Sequence, residues 1–155
     1  MTKTNAMRIL EAAGVAFDTA EYAFSEDDLS GEHAANALGA NPETVFKTIV
    51  TVGEKRGCLV FCVPADCELD LKKCALAAGD KRVELLPLSK LFALTGYMRG
   101  GCSPVGMKKH FPTFIDETAV LFDHIYVSAG QRGSQLYLNP EELASFLNAP
   151  FCELT

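Results

Sequence analysis

A lysine stands among apolar residues in a segment whose composition predicts a strand. In Val45-Phe46-Lys47-Thr48-Ile49-Val50, the two-residue period of a strand puts Lys47 on the same face as Val45 and Ile49. One interpretation is a lysine near a strand end whose ammonium reaches water along its own methylenes. The other is a cation at the mouth of a pocket, where reduced solvation strengthens its attraction for a phosphate or a developing oxyanion.

A glycine-rich loop occurs further along the chain. The ten residues from Tyr97 to Gly106 include three glycines and one proline, which excludes regular structure. Gly100 and Gly101 lack a Cβ, so their backbone N–H groups can approach a ligand, and Pro104 fixes the end of the loop. A tight turn alone would also explain these residues. The segment is not a P-loop, because Met107 precedes the lysines and no hydroxyl residue follows them.

Other candidate groups are less specific. Cys102 lies near Arg99 in this loop and could be a nucleophile, but no histidine is close in sequence, and a small loop side chain is the favoured interpretation. The stretch from Ser128 to Gly133 offers a hydroxyl and several N–H donors, although a hairpin turn explains it equally well. The order of Ser, His and Asp residues along the chain does not indicate a catalytic triad. The cysteine spacings contain no C-x-x-C, and the three histidines do not complete a zinc pattern, so a metal site is not expected. No other cofactor is expected either.

The composition predicts one globular domain over residues 1–155. The chain is 48% hydrophobic and 22% charged, which supplies a core and excludes extensive disorder. No apolar stretch approaches the roughly 18 residues of a membrane span, and the N-terminus lacks the apolar region of a signal peptide. These features predict a cytoplasmic protein with reduced cysteines and no membrane partner.

The net charge of −6 argues against nonspecific binding to nucleic acid, but the charge is unevenly distributed. Residues 72–109 hold eight basic and two acidic side chains. Solvated helix faces and a localised anion-binding surface explain this segment about equally well.

The pattern of apolar residues and of capping residues predicts an α+β fold. Expected helices are 6–13, 32–38, 71–78, 89–94 and 140–147, with one helical turn after Pro42. Expected strands are 16–23, 45–52, 58–63, 83–85, 113–116, 125–128 and 135–138. Because strands and helices do not alternate strictly, an α+β domain is favoured over a doubly wound sheet.

Together these segments resemble the YbaK-type aminoacyl-tRNA deacylases, which are related to the editing domain of bacterial prolyl-tRNA synthetases. The resemblance spans nearly the whole chain, and the order and spacing of its motifs are more specific than any single motif. The segments that carry it are Asn41–Thr48, Leu69–Lys73, Thr95–Tyr97, Gly100–Gly106, Pro112–Thr113 with Asp116, and Ile125–Gly133.

The resemblance implies a compact single domain with a mixed, barrel-like sheet flanked by helices. It also implies that Lys47 is the essential lysine, that Gly100 to Pro104 is the GxxxP loop, and that Ser128 is a pocket serine. Substrate-binding positions follow at Tyr22, at Ser30 and at Gln135. Here the family's phenylalanine falls at or near Leu29-Ser30, and its aspartate is replaced by Gln135.

The implied reaction is removal of cysteine from mischarged Cys-tRNA(Pro) through attack of the substrate thiol on its own ester. In that reaction, Gly100 and Gly101 would donate N–H groups to the carbonyl oxygen, and Lys47 would hold the terminal nucleotide. The expected partners are the 3′ end of aminoacyl-tRNA and prolyl-tRNA synthetase. Two alternatives stay open: a deacylase that clears Ala-tRNA(Pro) or another aminoacyl-tRNA with water, and a noncatalytic module that binds tRNA or a nucleotide.

Overall fold

The computed structural model describes residues 3–155. The α-helices within this range are α1 (Asn5–Ala13), α2 (Gly31–Leu38), α3 (Leu71–Ala78), α4 (Leu91–Thr95) and α5 (Pro140–Leu147). The strands are β1 (Asp18–Glu21), β2 (Phe46–Gly53), β3 (Gly57–Pro64), β4 (Val83–Leu85), β5 (Thr113–Asp116), β6 (Ile125–Gln131), β7 (Ser134–Leu138) and β8 (Phe151–Cys152). Short 3-10 helices cover Pro42–Thr44, Leu88–Lys90 and Glu117–Leu121.

The strands form two sheets. The larger sheet has the order β4-β2-β3-β5-β8, with antiparallel pairing from β4 to β3 and parallel pairing from β3 to β8. The smaller sheet has the order β1-β7-β6 and is antiparallel. An isolated parallel bridge between Val45 and Tyr126 links the two sheets. The predicted α+β class is confirmed, but the strands form two sheets and not one closed barrel.

Local sequence explains where the helices begin and end. Helix α2 begins after Ser30, whose hydroxyl accepts the His33 N–H, and α3 begins after Asp70, whose carboxylate accepts the Lys72 and Lys73 N–H groups. Both helices end at a glycine whose backbone is in the left-handed region. Glycine is favoured at this position because it has no Cβ. The signals for these elements are local, so the sequence predicts them to within one or two residues.

The two faces of the larger sheet pack against different partners. One face meets the smaller sheet together with α1 and α5, in a core that includes Phe46, Cys62, Leu136 and Leu143. The other face packs on α3, in a cluster that includes Phe61 and other buried apolar residues. Residues alternate between these faces along β2, so Phe46 and Lys47 point to opposite faces of the sheet.

Two elements of the C-terminal region have no clear sequence signal. They are the 3-10 helix Glu117–Leu121 and the two-residue strand β8. Both depend on the buried Asp116, whose Oδ2 accepts the Thr118 N–H and hydroxyl and whose Oδ1 accepts the Leu154 N–H at 3.0 Å. A contact between residues 38 positions apart cannot be read from local pattern.

Replacing Asp116 with alanine is expected to lower the free energy of unfolding by about 2 to 4 kcal/mol. The substitution leaves the Leu154 N–H without its acceptor in a buried position and frees the segment around β8. Urea unfolding measures the loss. Asp123→Ala, at an exposed position, is the control and should change the free energy by less than about 0.5 kcal/mol. Equal stability of the two variants would contradict the role of Asp116.

Candidate active site

A cavity of about 270 Å³ lies where the beginning of β2 meets the smaller sheet, α2 and the glycine-rich loop. It brings together six of the eight site residues predicted from the sequence: Tyr22, Ser30, Lys47, Gly100, Ser128 and Gln135. Its other lining residues are Leu29, Gly31, Ala34, Val45, Phe46, Thr48, Ile49, Arg99 and Cys102. Residues distant in sequence therefore converge on one concave site.

Lys47 is held in this cavity by β2. It pairs with Val63 across β2 and β3 and is partly buried, so the strand fixes where its side chain starts. No acidic side chain within residues 3–155 forms an ion pair with Lys47, whereas Lys3, Lys73, Arg82 and Arg132 each have such a partner. The ammonium is therefore available to bind an anionic group that enters the cavity.

Helix α2 contributes a second wall and approaches the sheet very closely. A Cβ added to Gly31 would lie 2.8 Å from the Ala65 Cβ and 3.7 Å from the Lys47 Cβ. Only glycine allows this approach without displacement of the helix. The residues just before the helix, Leu29 and Ser30, are thereby brought to the cavity.

The glycine-rich loop contributes a backbone wall at Gly100. This residue has φ +85°, and a Cβ added to it would lie 3.0 Å from the Leu29 Cβ. Within residues 3–155, the N–H groups of Gly100 and Cys102 donate to no protein acceptor. Both residues line the cavity, as does Arg99, so the loop brings N–H groups that no protein acceptor occupies to the edge of the cavity.

Gly101 and Pro104, also predicted as site residues, do not line this cavity. The Gly101 N–H donates to the Met98 carbonyl at 3.0 Å, and a Cβ on Gly101 would lie 3.1 Å from the Arg132 backbone nitrogen. Gly101 thus lets the loop pack against the β6-β7 hairpin. Pro104 lines a different cavity of about 160 Å³ beside Ile9 and Phe146.

Tyr97 connects the loop to the hairpin from the other side. Its hydroxyl donates to the Val105 carbonyl, and burial raises its pKa to about 12, so it stays a neutral donor. A Cβ on Gly106 or on Gly130 would lie 2.9 Å from an atom of the Tyr97 side chain. These two glycines, both with positive φ, make room for the ring that joins the two segments.

The smaller sheet contributes Ser128 and Gln135, which are cross-strand neighbours. The Ser128 hydroxyl accepts the Gly130 N–H at 3.1 Å, next to an irregularity in the β6-β7 register. The Gln135 side chain is 6% exposed, and its Oε1 is buried without a hydrogen-bond partner in the described part of the chain. A buried carbonyl oxygen without a donor is costly, so this atom retains the capacity to accept a hydrogen bond.

Sequence reasoning missed several residues of the site. The resemblance places the family's phenylalanine at or near Leu29-Ser30, and Ser30 is the site residue predicted from it. In the structure Leu29 is partly buried and packs on Gly100, whereas Ser30 is exposed and caps α2. The alternation along β2 could not predict that Thr48 and Ile49 both reach the cavity, because they point to opposite faces of the strand. Arg99 also lines the cavity, and its place directly before Gly100 in the sequence was the one signal that could have indicated this.

Cys102 lines the cavity but is a poor nucleophile. Burial raises the pKa of its thiol to about 12, so almost none is thiolate near neutral pH. Within residues 3–155, no group of three His, Cys, Asp or Glu side chains is placed to hold a metal ion. In the same range, no helix is long and apolar enough to cross a membrane.

Comparison with known proteins places the chain in a family. Residues 28–146 match the family model described as the aminoacyl-tRNA editing domain. The chain belongs to this family. The matched region of the editing domain includes Lys47, the glycine-rich loop and both cavity residues of the smaller sheet, and Tyr22 lies before it.

Relatives of this editing domain agree with the assignment. The chain is 52% identical over 153 residues to an Enterococcus faecalis protein named "Putative Cys-tRNA(Pro)/Cys-tRNA(Cys) deacylase EbsC", covering 99% of this chain and 93% of that one. It also matches a solved structure titled "Crystal structure of a putative trans-editing enzyme for prolyl tRNA synthetase". That match has a TM-score of 0.85 and 26% identity, and it covers 100% of this chain and 99% of the other.

Proposed function

We propose that this editing domain is a trans-acting deacylase that removes cysteine from mischarged Cys-tRNA(Pro). The single observation that carries the proposal is the convergence of Lys47, the free Gly100 N–H and the orphaned Gln135 Oε1 on one cavity. These groups supply a cation, an oxyanion donor and an acceptor, which are the three contacts that an aminoacylated nucleotide needs. The resemblance of the chain to YbaK-type deacylases and the name of its Enterococcus faecalis relative support the choice of cysteine.

Each group has a task in binding the end of the tRNA. The Lys47 ammonium attracts the phosphate of the terminal adenosine, since no acidic side chain in residues 3–155 forms an ion pair with it. The Gln135 Oε1 accepts a hydrogen bond from the α-ammonium of the amino acid, which satisfies this buried atom. The Leu29 side chain and the loop close the remaining wall.

The reaction needs no nucleophile from the protein. The substrate thiolate attacks its own ester carbonyl, a sulfur–carbon bond forms, and the bond from that carbon to the ribose oxygen breaks. The ribose oxygen leaves with its electron pair and takes up a proton from water, so the products are cysteine thiolactone and tRNA. The Gly100 and Cys102 N–H groups stabilise the negative oxygen of the tetrahedral intermediate. Holding thiol and carbonyl together contributes on the order of 7 kcal/mol or more.

The raised pKa of Cys102 gives a prediction that separates this reaction from catalysis by an enzyme thiol. Cys102→Ser is expected to keep most of the deacylation of Cys-tRNA(Pro) in a single-turnover assay. The rate should level off above about pH 8.5, where an ordinary substrate thiol becomes ionised. If Cys102 were the nucleophile, the rate would keep rising above about pH 8.5, because burial raises the pKa of this thiol, and the serine variant would lose nearly all activity.

Deacylation across a panel of mischarged tRNAs tests the proposed function. Cys-tRNA(Pro) is expected to be cleaved, and blocking the substrate thiol by alkylation should abolish cleavage. Survival of turnover after alkylation, or faster cleavage of Ala-tRNA(Pro), would favour the water-dependent deacylase. Binding of aminoacyl-tRNA without release of the amino acid would favour the noncatalytic module. Either result contradicts the proposed reaction.

Prolyl-tRNA synthetase is the proposed protein partner, because it produces the mischarged substrate and because a structural relative is described as its trans-editing enzyme. Copurification of the two proteins, with and without tRNA(Pro), tests the association. Failure to associate under both conditions would remove the synthetase from the proposal and leave the deacylase activity unaffected.

A further inference from the structure

A second cavity adjoins the candidate active site at the glycine-rich loop. It has a volume of about 410 Å³ and is lined in part by Phe24, Phe92, Met98 and Arg132. Gly100 lines the first cavity and Gly101 lines the second, and consecutive Cα atoms are only about 3.8 Å apart. The two cavities therefore border the same loop at adjacent residues.

The second cavity exposes unusually large apolar side chains. Phe24 is 47% exposed, Phe92 is 60% exposed and Met98 is 57% exposed. We call these three residues the apolar platform. Exposed aromatic rings grouped around one depression mark a binding surface more often than a solvated one. The ring of Phe24 packs on the β6-β7 hairpin at Gly133, where an added Cβ would lie 3.0 Å from the Phe24 Cδ1.

Cations surround the apolar platform. The Lys108 ammonium lies 5.5 Å from the centroid of the Phe92 ring and donates to the Ala93 carbonyl at 3.3 Å. Arg132 donates from Nε to the Arg99 carbonyl at 2.8 Å, which fastens the hairpin to the loop that carries Arg99. Glu26 is a weak counter-charge, with its Oε1 3.9 Å from the Arg132 Nη1 and its side chain 82% exposed. Lys108 and Arg132 thus border the platform as cations, and the exposed acidic side chains of Glu26, Asp27 and Asp28 follow Phe24 in the chain.

We propose that the apolar platform binds the unpaired nucleotides that precede the terminal adenosine of the tRNA. Single-stranded RNA is bound by aromatic rings that stack on bases, together with cations that follow the phosphates. Phe24 and Phe92 supply the rings, whereas Arg99, Lys108 and Arg132 supply the cations. This inference rests on the proposed function, because the active site fixes which nucleotide lies beside the platform.

A comparison of two substrates tests the platform. One is an RNA minihelix with a single-stranded CCA end charged with cysteine, and the other is 3′-cysteinyl-adenosine, which has no preceding nucleotide. Phe24→Ala and Phe92→Ala are each expected to lower kcat/KM roughly tenfold on the minihelix and to leave cysteinyl-adenosine unchanged. Leu76→Ala and Leu121→Ala, at positions 84% and 74% exposed, are matched controls and should affect neither substrate.

The salt dependence tests the cations separately. Lys108→Ala should reduce the slope of log kcat/KM against log salt concentration by about 0.7 on the minihelix, the value for one contact to a single strand. Lys55→Ala, in the turn between β2 and β3, should leave the slope unchanged. An unchanged slope for Lys108→Ala would overturn its assignment to a phosphate.

The outcomes distinguish the platform from the proposed function. If the wild-type protein cleaves both substrates and the phenylalanine variants lose neither or both equally, the platform is overturned and the deacylase stands. If the wild-type protein cleaves neither substrate, the deacylase fails, and binding of an uncharged ACCA tetranucleotide by wild type and variants decides the platform alone. Variants that lose only their association with prolyl-tRNA synthetase would show a protein-binding surface and overturn the proposal.

Discussion

Lys47→Ala is expected to lower the single-turnover rate of Cys-tRNA(Pro) deacylation by about 10²- to 10³-fold. The substitution removes one of the two basic side chains that line the cavity, and the other, Arg99, belongs to the glycine-rich loop and not to β2. The effect should appear both in binding of the substrate and in the rate of the bound substrate, because a misplaced ester lies away from the Gly100 N–H. Quench-flow measurement on wild type and variant gives the ratio.

Lys55→Ala is the matched control for loss of a lysine, because Lys55 is exposed in the turn between β2 and β3. It should keep the wild-type rate. Lys47→Arg tests geometry, since its charge is retained and its planar head is larger; partial activity is expected. A Lys47→Ala variant with near wild-type activity would remove Lys47 from the site.

Gly100→Ala is the second substitution with a large expected effect. At φ +85° a Cβ is strained, and here it would also press on the Leu29 side chain at 3.0 Å. The loop must then shift, which displaces the Gly100 and Cys102 N–H groups from the oxyanion. Loss of one such donor costs about 10²- to 10³-fold in rate, and the same reduction is expected here under single-turnover conditions.

Gly57→Ala is a control for Gly100→Ala, because an alanine at position 57 has a similar backbone strain but its Cβ contacts no neighbouring atom. Gly57 has φ +74°, and a Cβ added there would meet nothing within 4 Å. Gly57→Ala should therefore lose a comparable amount of stability in urea unfolding while keeping the deacylation rate. Equal loss of rate in both variants would show that the effect of Gly100→Ala is a general loss of folded protein.

The sequence predicted most of the fold because its signals are local. Helix α3 and strand β4 have the predicted boundaries, since Asp70 and Gly79 delimit the helix and a short apolar run forms the strand. The assignment of strands to two sheets could not be predicted. It depends on the pairing of β1 with β7 and on the parallel pairing of β3 with β5, which join residues far apart in the chain.

The sequence predicted those residues of the candidate site whose type is unusual for the element that contains them. Lys47 is a cation in an apolar strand, and Gly100 belongs to a loop that cannot be regular. The sequence could not predict that Gly100 lines the cavity and Gly101 does not. This difference depends on the hydrogen bond from the Gly101 N–H to the Met98 carbonyl and on the contact of Gly101 with the hairpin. Adjacent glycines look equivalent until their neighbours are known.

The two sides of the cavity belong to different sheets. Lys47 stands on the larger sheet, and Ser128 and Gln135 stand on the smaller one. Under the proposed function, substitutions in the smaller sheet would change which amino acid is accepted, while Lys47 on the larger sheet would still bind the nucleotide. A deacylase built in this way would be able to change its amino-acid preference and retain its contacts to tRNA.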